Sequence, residues 1–154
     1  MRSEALGQMI DTTRPPTGGG NPMTQTMTNT EIVRRGYQAF NEADIDTLMR
    51  VFAENVLWYT PGQSSAAGVA RGRDAVLAQF GRYAGETDGT FKASLETVFE
   101  GDDGRVVALH HNSGVRNGKQ LDTSCCIVFE IESGRVTSGQ EHFYDLHNWD
   151  EFWS

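Results

Sequence analysis

A chain of 154 residues is long enough for one domain, and at that size folding withdraws about two-thirds of the unfolded surface from water. A formal charge of −8 and a pI near 4.9 create a field that repels phosphate backbones and anionic lipid, so neither nucleic acid nor a membrane is an expected partner. Apolar residues make up 38% and no 18-residue apolar run occurs, which is the composition of a soluble globular protein.

Residues 1–27 read as a disordered tail. They contain Arg14-Pro15-Pro16-Thr17-Gly18-Gly19-Gly20-Asn21-Pro22 and too little apolar surface to offset their ordering entropy. Leu6, Met9 and Ile10 form no sustained apolar core of a secretory signal, and the chain is expected to be cytoplasmic. The domain then starts at Thr28-Asn29-Thr30-Glu31, a capping-box spacing that predicts a helix onset. Ile32, Val33, Tyr37 and Phe40 give that helix its apolar stripe, and Asn41 is its expected terminator. Asp44 caps a second helix, on which Ile45, Leu48, Met49 and Phe52 fall on one face. Val56 to Tyr59 is a short strand ended by Pro61-Gly62, the stretch to Gly72 reads as loop, and Asp74 to Tyr83 is a third helix.

From Phe91 the pattern is β, with runs at 91–100, 104–115, 119–131 and 135–146. Asp102-Asp103-Gly104, Asn117-Gly118 and Ser133-Gly134 separate them, and these are residues that accept positive φ in tight hairpins. The expected fold is α+β, three helices on a strongly twisted antiparallel sheet, with Trp149, Phe152 and Trp153 docking back at the end. Cys125 and Cys126 are neighbours whose side chains point to opposite strand faces, so they read as reduced packing residues. No Cys/His spacing resembles a zinc site and no glycine-rich loop follows a strand, so no metal and no cofactor is expected.

Several stretches carry a family likeness. Ala39-Phe40-Asn41-Glu42-Ala43-Asp44-Ile45-Asp46, Phe52-Ala53-Glu54-Asn55-Val56, Gly68 through Val76, and Glu141-His142-Phe143-Tyr144-Asp145 resemble the junctions of the SnoaL-like, nuclear transport factor 2-like and ketosteroid isomerase-like superfamily. The likeness covers residues 28–154 and implies the superfamily's cone-shaped fold around a small-molecule pocket. Function does not follow from it, because such folds host many reactions and also proteins without one. In the ketosteroid isomerase-like pattern, the helix 1 tyrosine corresponds to Gly36, with Tyr37 one step away. The general-base aspartate of that pattern corresponds to Thr60, which cannot take a proton near neutral pH. In the limonene epoxide hydrolase-like pattern, the strand aspartate falls near His110 and its arginine near Ala108. The second aspartate falls at Glu141 or His142, and the next aligns with Asp145.

His110, His142 and Asp145 are therefore the candidate catalytic residues, imidazole being the side chain that both gives and takes a proton near neutral pH. Asn112 shares a strand face with His110, and Gln140 and Tyr144 share one with His142. Tyr37, Trp58, Thr60, Phe80 and Asn112 are the candidate ligand contacts. The first functional expectation is a small acid–base enzyme, of isomerase, cyclase, dehydratase or hydrolase type, acting on an apolar ring-containing molecule. The alternative is a non-catalytic binding or interaction module of the same fold, and Val107, Leu109, Cys126 and Val128 place apolar surface where a homodimer would pair.

Overall fold

The computed structural model describes residues 26–154, so most of the tail assigned to residues 1–27 lies outside the described residues. The capping box forms as the sequence requires. Glu31 N donates to Thr28 Oγ1 at 3.2 Å, Thr28 N donates to Glu31 Oε2 at 2.8 Å, and α1 (Asn29–Glu42) begins there. It ends at Ala43, which takes the left-handed conformation (φ 54°), while Asn41 has a different task. The Asn41 amide donates to the Ala93 carbonyl at 2.8 Å and accepts from the Ala93 N–H at 3.1 Å. These bonds tie α1 to backbone groups that an edge strand would otherwise leave unpaired.

Asp44 caps α2 (Ile45–Val51). Its expected apolar face is only partly buried, because Phe52 is already the first residue of β1 and Ile45 remains 53% exposed. The chain continues as β1 (Phe52–Thr60), β2 (Gly68–Arg71), α3 (Arg73–Glu86), β3 (Lys92–Glu100), β4 (Val106–Arg116), β5 (Lys119–Glu132), β6 (Arg135–Phe143) and α4 (Leu146–Trp153). Strand β2 lies in the stretch read as loop. Gly68 and Ala70 carry little strand propensity, and pairing with Leu57–Thr60 of β1 supplies what the local sequence does not. The docking tail is a fourth helix, started by Asp145 accepting from Asn148 N at 3.0 Å.

The six strands form one sheet in the order β2-β1-β6-β5-β4-β3. Every pairing is antiparallel except β1 with β6. The parallel pair follows from topology: α3 carries the chain from one sheet edge to the other, and three hairpins return β6 alongside β1. Helices α1, α2 and α3 cover the concave face together with α4, and the aromatic core lies between. Phe40 and Trp58 each meet Phe80 edge-on at 5.2 Å, and Phe143 stacks on Trp149 at 4.1 Å.

An irregularity in β6 decides which of its residues face this core. Ile131 pairs with Val136 but Glu130 pairs with Ser138, so Thr137 is an extra residue, a β-bulge. A one-residue insertion reverses side-chain parity downstream. Val136 points inward, and beyond the bulge it is Gly139, Glu141 and Phe143 that do so. Gly139 sits directly opposite Trp58, and a side chain there would collide with the indole ring. The bare backbone thus lets Trp58 lie across β6 and reach Glu141.

Candidate functional site

An apolar cavity opens between the helices and the concave sheet face, with about 60 Å³ of room for the centres of water molecules. That is room for about four to six water molecules, comparable to one small ring. Phe40, Phe52, Phe80 and Phe129 form much of its wall. Tyr37, His110, Asn112, Trp58 and Glu141 are its main polar groups, joined by Trp149 from α4.

On the β4 side three polar residues are joined by two hydrogen bonds. His110 Nε2 lies 3.0 Å from Asn112 Oδ1, and His110 Nδ1 lies 2.6 Å from Tyr37 Oη. With Asn112 Oδ1 accepting, the ring proton sits on Nε2, and Nδ1 accepts from the Tyr37 hydroxyl. Burial draws the His110 imidazole down to about 4, only partly opposed by the Asn112 bond, so the ring is neutral at pH 7. Burial likewise lifts the Tyr37 phenol well above its ordinary value. The three residues form a neutral chain.

On the β6 side stands Glu141, 6% exposed. Trp58 Nε1 donates to its Oε1, and Thr60 Oγ1 donates to the same oxygen at 3.5 Å. Thr60 is held in turn by the Gln79 amide at 3.2 Å. Burial pushes the Glu141 carboxyl up to about 7, against the opposing pull of the Trp58 and Thr60 bonds. Near neutral pH this group is therefore present in both its acid and its base form, inside an apolar pocket. From the pairing of β4, β5 and β6, Glu141 lies two strands across and two residues along from His110, roughly 12 Å between Cα atoms on one face. Both residues line the same cavity.

The structure thus brings His110, Asn112, Tyr37, Trp58 and Phe80 to one cavity, with Thr60 supporting Glu141 from behind. It does not bring His142 or Asp145 there. His142 is exposed on the outer sheet face opposite Cys126, because the bulge at Thr137 leaves even-numbered positions of β6 pointing outward. Asp145 is exposed and spends its carboxylate on the α4 N-terminus. Glu141 was legible only as one of two alignment choices. The signal that selects it is Phe143, whose apolar side chain marks the odd-numbered positions as the inward set.

The comparisons with known proteins agree with this architecture. The family model for the SnoaL-like domain matches residues 33–139. An uncharacterized protein of Mycobacterium tuberculosis, Rv0034, is 36% identical over 124 residues, covering 80% of this chain and 95% of its own length. Among solved structures, Bal32a from a soil-derived mobile gene cassette is 60% identical with a TM-score of 0.79, covering 80% of this chain and 95% of that one. An NTF2-like protein of unknown function from Burkholderia pseudomallei, 24% identical with a TM-score of 0.68 over 83% of this chain and 99% of that one, shares the fold. The chain accordingly belongs to the SnoaL-like domain family.

Proposed function

We propose that the chain is a cofactor-independent acid–base enzyme acting on a compact, ring-containing molecule, with Glu141 as the proton-transfer group. The observation that carries this reading is a buried carboxyl raised to about 7 at the wall of an apolar, ring-sized cavity. A carboxyl so placed serves both halves of a proton shuttle, because efficient transfer needs a group that titrates near the working pH. Ionised Glu141 removes a proton from an acidic C–H of the bound ring, and the resulting carboxylic acid returns it at a neighbouring atom or to a leaving oxygen. Trp58 and Thr60 fix Oε1, so Oε2 is the oxygen free to carry the proton. His110 is not the proton donor in this scheme. Both of its nitrogens are occupied by Tyr37 and Asn112, and it stays neutral at pH 7. Together with those partners it forms a rigid wall that positions the ring opposite Glu141.

The test is deuterium uptake at the α-carbon of small cyclic ketones, followed by NMR in D2O at a pD near 8, where Glu141 is mainly ionised. Wild type should accelerate exchange of at least one ketone that binds, and Glu141→Gln should reduce the acceleration by about a hundredfold or more. Equal exchange rates in the two proteins would overturn the catalytic assignment. Binding with no exchange in wild type would instead favour a carrier that holds its ligand unchanged.

A further inference from the structure

We infer that the side-chain amide of Asn112 is the hydrogen-bond donor to the ligand, so that the cavity selects a neutral ring carrying a carbonyl or comparable oxygen at its β4 end. The inference deepens the function proposed above and rests on the same cavity.

Matching the cavity's donors to their acceptors leaves this amide over. The Tyr37 hydroxyl donates to His110 Nδ1, and the His110 Nε2 proton is held by Asn112 Oδ1. The Trp58 N–H and the Thr60 hydroxyl both serve Glu141. Glu141 itself donates only in its acid form, which is the minority form at pH 8. Asn112 Nδ2 carries two further N–H bonds, and neither meets an acceptor among the described residues, although the residue is only 2% exposed. Arg73 Nε, Trp149 Nε1 and Trp153 Nε1 also lack a partner, but protein seals those three even against a water molecule. Asn112 Nδ2 is not among the sealed nitrogens, and its residue lines the cavity. An oxygen in the cavity therefore reaches this amide and does not reach the two indoles.

The strand neighbours explain why no protein group closes over it. Asn112 lies between Ala93 of β3 and Thr123 of β5. Ala93 offers only a methyl group, while Thr123 Oγ1 accepts from Asp145 N at 3.1 Å and donates to the Ser124 carbonyl at 3.3 Å. A buried N–H without an acceptor loses its hydration and gains nothing in return, so such groups are rare in folded proteins. Here the occupant of the cavity supplies the acceptor. Among the described residues no lysine or arginine lines the cavity, and ionised Glu141 stands on its β6 side. The acceptor is accordingly a neutral oxygen and not a carboxylate, whose charge would be buried without a cation. With that oxygen held on β4, the remainder of the ring extends across the cavity toward Glu141.

The experiment titrates the full chain at pH 8 with cyclohexanone and methylenecyclohexane, which share a shape and differ by C=O against C=CH₂. In an ¹⁵N–¹H spectrum of wild type, the Asn112 side-chain amide pair, identified by triple-resonance assignment, should move downfield with the ketone and stay in place with the olefin. Asn112→Asp keeps one oxygen facing His110 Nε2 and puts a second oxygen where the amide was. Any proton the new carboxyl holds lies between its inner oxygen and the imidazole, so the oxygen facing the cavity donates nothing. The ratio of ketone to olefin affinity should fall about tenfold in this variant, the size of one buried hydrogen bond, because the hydration of the two probes cancels in the comparison. Should Asn112→Asp fail to fold, the wild-type spectrum decides alone. An unchanged ratio, or an amide pair that the ketone does not move, would overturn the inference while leaving the acid–base reading to its own exchange test with Glu141→Gln. A selective amide shift without deuterium exchange would sustain the inference and overturn the acid–base reading. Cyclohexanecarboxylate binding as tightly as cyclohexanone would overturn the neutral-oxygen class. Failure of both ring probes to bind would overturn the inference together with the ring-binding cavity on which it rests.

Discussion

Replacing Glu141 by glutamine keeps the shape and the oxygen that Trp58 and Thr60 address, and removes only the charge. A carboxyl that titrates at about 7 in the fold against an ordinary 4.5 holds its proton more tightly when folded. Above 4.5 the unfolded chain has released that proton and the folded one has not, so stability falls as pH rises and levels off past about 7. The total is about 3 kcal/mol. His110 works in the opposite sense, because its value falls from 6.5 to about 4 and the unfolded chain takes up a proton that the fold refuses. Its contribution makes stability rise between about 4 and 6.5. In wild type the two slopes nearly cancel from 4.5 to 6.5, and a net decline appears only as pH approaches 7. The variant keeps the His110 slope alone. Glu141→Gln should therefore match wild type near pH 4.5 and exceed it by about 3 kcal/mol at pH 8. The assay is urea unfolding at half-unit pH steps. With a slope of about 1–3 kcal/mol per molar urea, the midpoints should separate by about 1–3 M at pH 8. A midpoint difference that is the same at pH 5 and pH 8 would refute the assignment of a raised carboxyl at this position, since every other titrating group cancels in the comparison.

Gly139→Ala places a methyl against the Trp58 ring and should cost roughly 1–3 kcal/mol in urea unfolding, with Trp58 fluorescence shifted because the indole loses its seat beside Glu141. No shift and no loss would mean that the close approach is absent. Asp150 accepts from the backbone N–H groups of Gln63 and Ser64 at 3.0–3.1 Å, pinning the loop after β1 to α4. Asp150→Ala should cost about 1–2 kcal/mol and speed proteolytic cleavage between residues 61 and 67. We also propose that two copies pair through the outer sheet face, where Phe99, Val107 and Val128 lie in one cross-strand row and Phe99 is 50% exposed. Sedimentation at micromolar concentration should give a dimer that Phe99→Lys dissociates, and a wild-type monomer would end that reading.

Local chemistry was sufficient for much of this molecule. The capping box at Thr28, the Asp44 cap and the glycine-bearing hairpin turns each stabilise their element through bonds within a few residues, so spacing alone located α1, α2 and the β3–β6 meander. The neighbourhood of His110 was legible for the same reason: period-two alternation along an uninterrupted strand puts Asn112 beside it. Three features were decided only by tertiary structure. Strand β2 exists because β1 offers it a ladder, α4 is held in place because Trp149, Phe152 and Trp153 bury in the aromatic core, and the parallel pairing of β1 with β6 follows from the path of α3. The site itself turned on a single residue. Thr137 is extruded where β6 turns against β5, and that bulge exchanges the two faces of the strand, sending His142 to the surface and Glu141 into the cavity. Bulges are set by how neighbouring strands twist together, a long-range condition with no local sequence period, whereas caps and turns are written within four residues.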